Sequence, residues 1–174
     1  TEAGEGIAAF TVARVEAGEM AEGRMQFVTH LTEATVWQPR WLDHQNGATG
    51  LADMVVAVAG RSEAAARFAR FLGRPAAPSP SCDFIGLDRG GVLLTDARTL
   101  TGLVPELTVG PLPFIGVYAV TVRSLTGLED VLARNGLGFR REGERITALF
   151  PEALGTGAWM FVEKADHLPW RRPG

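Results

Sequence analysis

The architecture is decided by Leu51-Ala-Asp-Met-Val-Val-Ala-Val-Ala59, which runs through Gly60-Arg61 into Ser62-Glu-Ala-Ala-Ala-Arg-Phe-Ala-Arg-Phe-Leu72 and stops at Gly73. The same order returns at Phe114-Ile-Gly-Val-Tyr-Ala-Val-Thr-Val122, followed by Ser124, Leu125-Thr-Gly-Leu-Glu-Asp-Val-Leu-Ala-Arg134 and Asn135-Gly136. Each copy is an apolar run of strand length, then a serine placed to cap a helix, then a residue suited to ending one. Ala65, Phe68 and Leu72 mark the apolar face of the first helix, and Leu128, Val131 and Leu132 that of the second. Short alternating segments follow: 83–87 and 92–95 in the first copy, then 139–141, 145–150 and 158–163 in the second. The repeat is therefore strand, helix, meander, written twice. A sheet with helices on only one face must bury its other face, which the two copies can do by pairing side by side into a curved sheet. The expected class is α+β, with paired βαβββ modules.

The chain upstream reads differently. Phe10 and Val12 alternate with Thr11 and Ala13, and beyond the turn-like Glu19–Gly23 the residues Met25, Phe27 and Thr29 alternate with Gln26, Val28 and His30. This is a hairpin, and a lone two-stranded hairpin is marginal. It is expected to be completed by strands of a preceding module, by a homodimer partner, or both, so the chain reads as part of something longer. Residues 1–48 form the end of that module and a connection. Residues 49–166 form the paired unit, with halves 49–110 and 111–166, and 167–174 a tail.

The connection concentrates chemistry. His30-Leu-Thr-Glu, Val36-Trp37-Gln38-Pro39-Arg40-Trp41 and His44-Gln45-Asn46-Gly47-Ala48 hold two of the four Trp and two of the three His of the chain. Trp37 and Trp41, four apart, would share one face of a short helix packed over a core. Alternatively they and Phe161 wall a ligand cavity whose mouth carries His30, Arg40, His44 and Asn46. Tyr118, within an apolar strand, needs a partner for its hydroxyl or a cavity to point into. Asp53 is a carboxylate early in an apolar strand, so it needs a partner or a shifted pKa. Arg140 and Arg141 read as a solvated face, or as partners for an acidic group.

These connection motifs, together with the repeat, resemble the vicinal oxygen chelate superfamily, the glyoxalase and bleomycin-resistance fold, and in particular bacterial glyoxalase-like domain proteins. The resemblance implies that the hairpin at 7–30 ends a first module whose missing part is about a hundred residues. It also implies a cup of sheet in which a divalent metal can activate a substrate next to a carbonyl, giving lyase or isomerase chemistry. In metal-dependent members a His or Glu stands on the opening strand of each half and a Glu on the closing strand. Here those slots fall on Asp53, on Val117, and on Phe161 or Glu163, with His30 available from the preceding module. Asp53, Glu163 and His30 are thus the candidate catalytic residues, and the metal ligands if a metal is bound. So few surviving ligands do not favour a metal, and the cofactor stays unassigned. The ligand-binding candidates are Trp37, Arg40, Trp41, His44, Asn46, Tyr118 and Phe161. The leading reading is a glyoxalase-like protein binding a small organic molecule in the cup. Metal-independent sequestration is the alternative.

Composition narrows the partners. With 174 residues, 46% of them hydrophobic, the chain can bury a core, and 17 Lys and Arg against 20 Asp and Glu leave no basic stripe for nucleic acid. Apolar runs such as 54–59 and 114–122 fall short of the roughly 20 residues that span a bilayer. Cys82 stands alone, which fits a reducing, cytoplasmic setting. A serine hydrolase is a remote further reading: Gly60-Arg61-Ser62-Glu63 approaches a nucleophile elbow but Ala64 replaces its last glycine. Ser124 at the equivalent place points to capping in both copies. The glycines from Gly86 to Gly91 lack the Lys-Ser/Thr of a phosphate loop.

Overall fold

A computed structural model describes residues 6–171, which divide into two compact units at His44 and Gln45. The first unit holds an antiparallel hairpin of β1 (Phe10–Arg14) and β2 (Gln26–His30), with Phe10 opposite His30 and Arg14 opposite Gln26. Among the described residues it is a two-stranded sheet, and nearly every strand position is exposed. The helical turn α1 (Glu33–Val36) and a 3-10 turn over Pro39–Trp41 follow. Trp37 and Trp41 do not share a helix as their spacing predicts. Pro39 opens a separate turn between them, because its ring fixes φ and it lacks the N–H that continuing α1 requires. Both rings are more than half exposed, at 53% and 59%.

The second unit is the expected duplication. β3 (Ala48–Ala57), α2 (Arg61–Leu72), β4 (Ala77–Pro78), β5 (Cys82–Gly86) and β6 (Gly91–Thr95) form the first half. After α3 (Ala97–Leu103), β7 (Phe114–Val122), α4 (Leu125–Arg134), β8 (Arg140–Glu142), β9 (Arg145–Leu149) and β10 (Ala158–Val162) form the second. The strands make one eight-stranded sheet in the order β4-β5-β6-β3-β7-β10-β9-β8, a near-palindrome about the antiparallel β3–β7 pair. The two opening strands thus meet at the centre, and each half closes with a parallel pair, β3 with β6 and β7 with β10.

Alternation sorts the side chains onto two faces. On the outer face Leu125, Leu128 and Leu132 of α4 pack against Val122, Ile146, Ala148 and Phe161. The start of α2 is tied down by Arg61, whose Nε lies 2.8 Å from Asp83 Oδ2 of β5. On the inner face Val55, Ala57, Leu93, Val117, Ala119, Ala158, Met160 and Val162 share one cluster with Leu100 of α3, Val104 and Leu107 of the link between halves, and Leu168 near the end of the chain. The link and the C-terminal segment therefore pack on the face left free by α2 and α4. α3 escaped the sequence pattern because it is only about two turns long. Its start is fixed by Asp96, whose carboxylate accepts from Thr99 N–H at 2.7 Å and is held below the usual range by that bond.

The two serines part company. Ser124 Oγ accepts from Gly127 N–H at 3.2 Å and caps α4, whereas α2 begins two residues earlier than a Ser62 cap would place it, at Arg61 with Gly60 as its N-cap, leaving Ser62 inside the first turn. Ser124→Ala is expected to cost about 1 kcal/mol, and Ser62→Ala less than about 0.5 kcal/mol, in urea unfolding of the whole chain. Equal losses would contradict this assignment. Gly73, with φ of 64°, and Gly136, with φ of 67°, supply the left-handed residues that end α2 and α4.

Candidate functional site

Asp53 stands on β3 beside a bulge, opposite Ala119 of β7 and Gly91 of β6, and so on the inner face. It is 1% exposed, and its carboxylate is fully engaged. Oδ2 accepts from Trp170 Nε1–H at 2.7 Å and from Arg171 Nε–H at 2.8 Å, and Oδ1 accepts from Arg171 Nη2 at 2.6 Å. This fork is the strong form of the ion pair, and it raises the guanidinium pKa further above its usual value. The other side of the guanidinium lies over Phe84, 5.0 Å from the ring centre. The buried carboxylate thus obtains its partner from the far end of the chain.

The remaining candidates are distributed. Glu163, just past β10, accepts from Leu125 N–H at 2.9 Å and so serves the N-terminus of α4 on the outer face. Asp53 and Glu163 consequently belong to opposite faces of the sheet. Phe161 is buried beneath α4, and Tyr118 stacks on Phe150 at 6.0 Å, with Phe150 in turn 4.5 Å from Trp159. Asn46 Oδ1 accepts from Ala48 N–H at 3.0 Å, which shapes the turn into β3. In the first unit His30 lies between Phe10 and Trp37, at 6.2 and 5.9 Å, and Arg40 covers Trp41 at 4.8 Å. His44 lies in an exposed stretch at the end of that unit.

A cavity lies at the β8–β9 end of the second half, which the resemblance had not singled out. It measures about 430 Å³ and is bounded by Leu137, Phe139, Leu149 and Phe150, with Arg140, Thr147 and Glu106 as its polar members. Thr147 pairs with Met160 across β9–β10 and with Arg140 across β8–β9, which puts it on the inner face. Arg140 contacts Glu106, Nε to Oε1 at 2.8 Å, and also Glu142. That contact lacks the geometry of a hydrogen bond, so Nε is buried in ionic contact with Glu106 but without a hydrogen bond, and Thr147 Oγ1 is likewise buried without one. Sequence reasoning reached Arg140 only as a possible partner for an acid and missed Thr147. The available signal was a polar residue on the Thr147 and Leu149 face of a strand whose Ile146 and Ala148 are core.

The fit to a divalent metal is poor. Among the described residues no three His, Cys, Asp or Glu side chains are grouped to hold one. Asp53 has both oxygens committed to Arg171 and Trp170, and Glu163 serves a helix end on the other face.

With this topology and inner face, the second unit has the vicinal oxygen chelate fold. The chain is similar in structure to methylmalonyl-CoA epimerase from Mycobacterium tuberculosis, at 15% identity over 72% of this chain and 94% of that one, with a TM-score of 0.50. Further solved structures with a likeness are a hypothetical protein from Bacillus halodurans C-125, 15% identical over 66% and 93% with a TM-score of 0.46, and a glyoxalase/bleomycin resistance protein/dioxygenase from Nocardioides, 19% identical over 75% and 91% with a TM-score of 0.30. At these identities the likeness speaks for the fold, and the first comparison carries it. No known family profile and no curated protein matches the sequence. No helix of the described residues is long and apolar enough to cross a membrane.

Proposed function

We propose that this protein binds a small organic molecule in the cavity at the β8–β9 end of the second half, without a resident metal. The observation that carries the reading is that cavity itself: about 430 Å³, with mainly apolar walls and two buried polar atoms that make no hydrogen bond. Ligand sites have this make-up, at volumes of about 300–1,000 Å³. In the first half Trp170 and Arg171 engage both oxygens of Asp53, which leaves that carboxylate committed within the protein.

Lyase or isomerase activity is the second reading, favoured by Glu106, a carboxylate at the cavity wall able to take a proton. The solitary Cys82 supports a cytoplasmic location. The exposed apolar side chains of the hairpin unit, among them Phe10, Phe27, Val28 and Leu31, support its completion by a preceding module or a second copy.

Leu149→Trp tests the binding reading by filling the cavity from a partly exposed wall. The unmodified chain is expected to enhance the fluorescence of the uncharged probe N-phenyl-1-naphthylamine saturably, and the variant to lose at least about tenfold in affinity while unfolding at a similar temperature. Unchanged binding in the variant would place the probe elsewhere and defeat the proposal.

A further inference from the structure

We propose that the cavity selects a neutral, largely apolar molecule through a carbonyl oxygen that accepts from both Thr147 O–H and Arg140 Nε–H. This rests on the binding reading above and names its ligand class. Arg140 and Thr147 are direct partners across β8–β9. Directly opposed residues have their Cβ atoms about 5 Å apart, near enough for two side chains to reach one atom. Both line the cavity, and each presents a buried polar atom with no hydrogen-bond partner. Thr147 is only 5% exposed, so its hydroxyl lacks free access to bulk water. A buried donor that makes no hydrogen bond is costly, and a ligand atom that satisfies it recovers that cost.

The chemistry of the two donors fixes the complementary group. Arg140 can only donate, and a hydroxyl can donate, so the shared partner must be an acceptor; a carbonyl oxygen has two lone pairs and takes both bonds. Charge then separates a carbonyl from a carboxylate. Arg140 is already in ionic contact with Glu106 and Glu142, and Glu106 is itself a wall of the cavity. A second anion would meet Glu106 at close range with no unbalanced cation to receive it, whereas a neutral carbonyl leaves the existing pairs intact. Leu137, Phe139, Leu149 and Phe150 take the apolar remainder.

The test titrates the full chain with acetophenone, ethylbenzene and benzoate by calorimetry, and repeats it with Thr147→Val, Arg140→Lys and Leu149→Trp. Acetophenone is expected to bind about five- to tenfold more tightly than ethylbenzene, which matches its shape without the oxygen, and more tightly than benzoate. Thr147→Val is expected to remove most of the preference for acetophenone over ethylbenzene, and Arg140→Lys to reduce it, since lysine has no fixed N–H at the Nε position. Because valine replaces a hydroxyl that makes no bond, Thr147→Val should unfold at the same or a higher temperature. Equal affinity for acetophenone and ethylbenzene, tighter binding of benzoate, or a lowered unfolding temperature in Thr147→Val would each overturn the proposal. If ethylbenzene binds and Leu149→Trp abolishes it while acetophenone binds no better, the cavity is a ligand site and only the carbonyl selection falls. If none of the three compounds binds the unmodified chain, both readings fall.

Discussion

Arg171→Leu is expected to destabilise the protein by about 3–5 kcal/mol, a large effect for a residue three places from the end of the chain, because it leaves the Asp53 carboxylate charged, buried and without its cation. Trp170 Nε1–H alone cannot balance a full charge at a position where the side chain is inaccessible to water. The signature of this mechanism is coupling. Adding Asp53→Asn to Arg171→Leu removes the stranded charge and is expected to restore part of the loss, giving an interaction energy of about 1–3 kcal/mol in a double-mutant cycle measured by urea unfolding. Simple addition of the two single losses would mean that the ion pair does not hold the C-terminal segment on the sheet.

The second large effect concerns the link between the halves. Leu100 of α3 is fully buried against the inner face, and a Cβ added at Gly116 would meet Leu100 Cδ2 at 2.5 Å. Gly116 is where β7 steps out of register with β3, between the Val55–Val117 and Val56–Ile115 pairs, so the strand's irregularity makes room for this one side chain. Leu100→Ala is expected to cost about 2–5 kcal/mol by opening a cavity, and Gly116→Ala about 1–3 kcal/mol by overfilling it. The two should compensate, since the new methyl group enters the space the leucine leaves. A double variant less stable than the sum of the single losses would show that Leu100 does not fill the space above Gly116.

Both effects arise from contacts that a local reading of the sequence could not supply. The duplicated strand and helix were legible because their signals are short-range: the apolar runs opening at Leu51 and Phe114, the faces built on Phe68 and Leu128, and the terminators Gly73 and Gly136. The side-by-side pairing of the halves followed, because two half-covered units have few ways to bury their remaining face. Where local signals compete, the reading slipped. Ser62 and Ser124 look alike in sequence, yet α2 starts at Arg61, whose side chain reaches Asp83 and the carbonyls of Ser79 and Pro80. That long-range anchoring outweighs the modest preference of a serine for the capping position.

The candidate site was less legible. Asp53 stood out, since a carboxylate in an apolar strand must be compensated, but nothing near it in the chain identifies Arg171 as the compensating group. The resemblance drew attention to the opening and closing strands of each half, and thereby to Glu163 and Phe161, one strand position away from the inner-face residues Met160 and Val162. A one-residue step exchanges the two faces of a strand, so a pattern match uncertain by that much cannot tell a cup residue from a helix-side residue. Thr147 and Glu106 were invisible for a further reason. Their importance comes from a cavity assembled by β8, β9 and the inter-half link, and no one of these segments carries a motif.

The claim on which the account turns is that the second half, not the Asp53 side, is the open ligand site. A crystal of the full chain exposed to iodobenzene tests it directly, because anomalous scattering locates the iodine without reference to any assumed pose. The account predicts iodine between Leu137, Phe139, Leu149 and Phe150, with the Asp53–Arg171 pair undisturbed. Iodine beside Asp53 instead, with Trp170 and Arg171 displaced, would contradict it and return the site to the first half of the sheet.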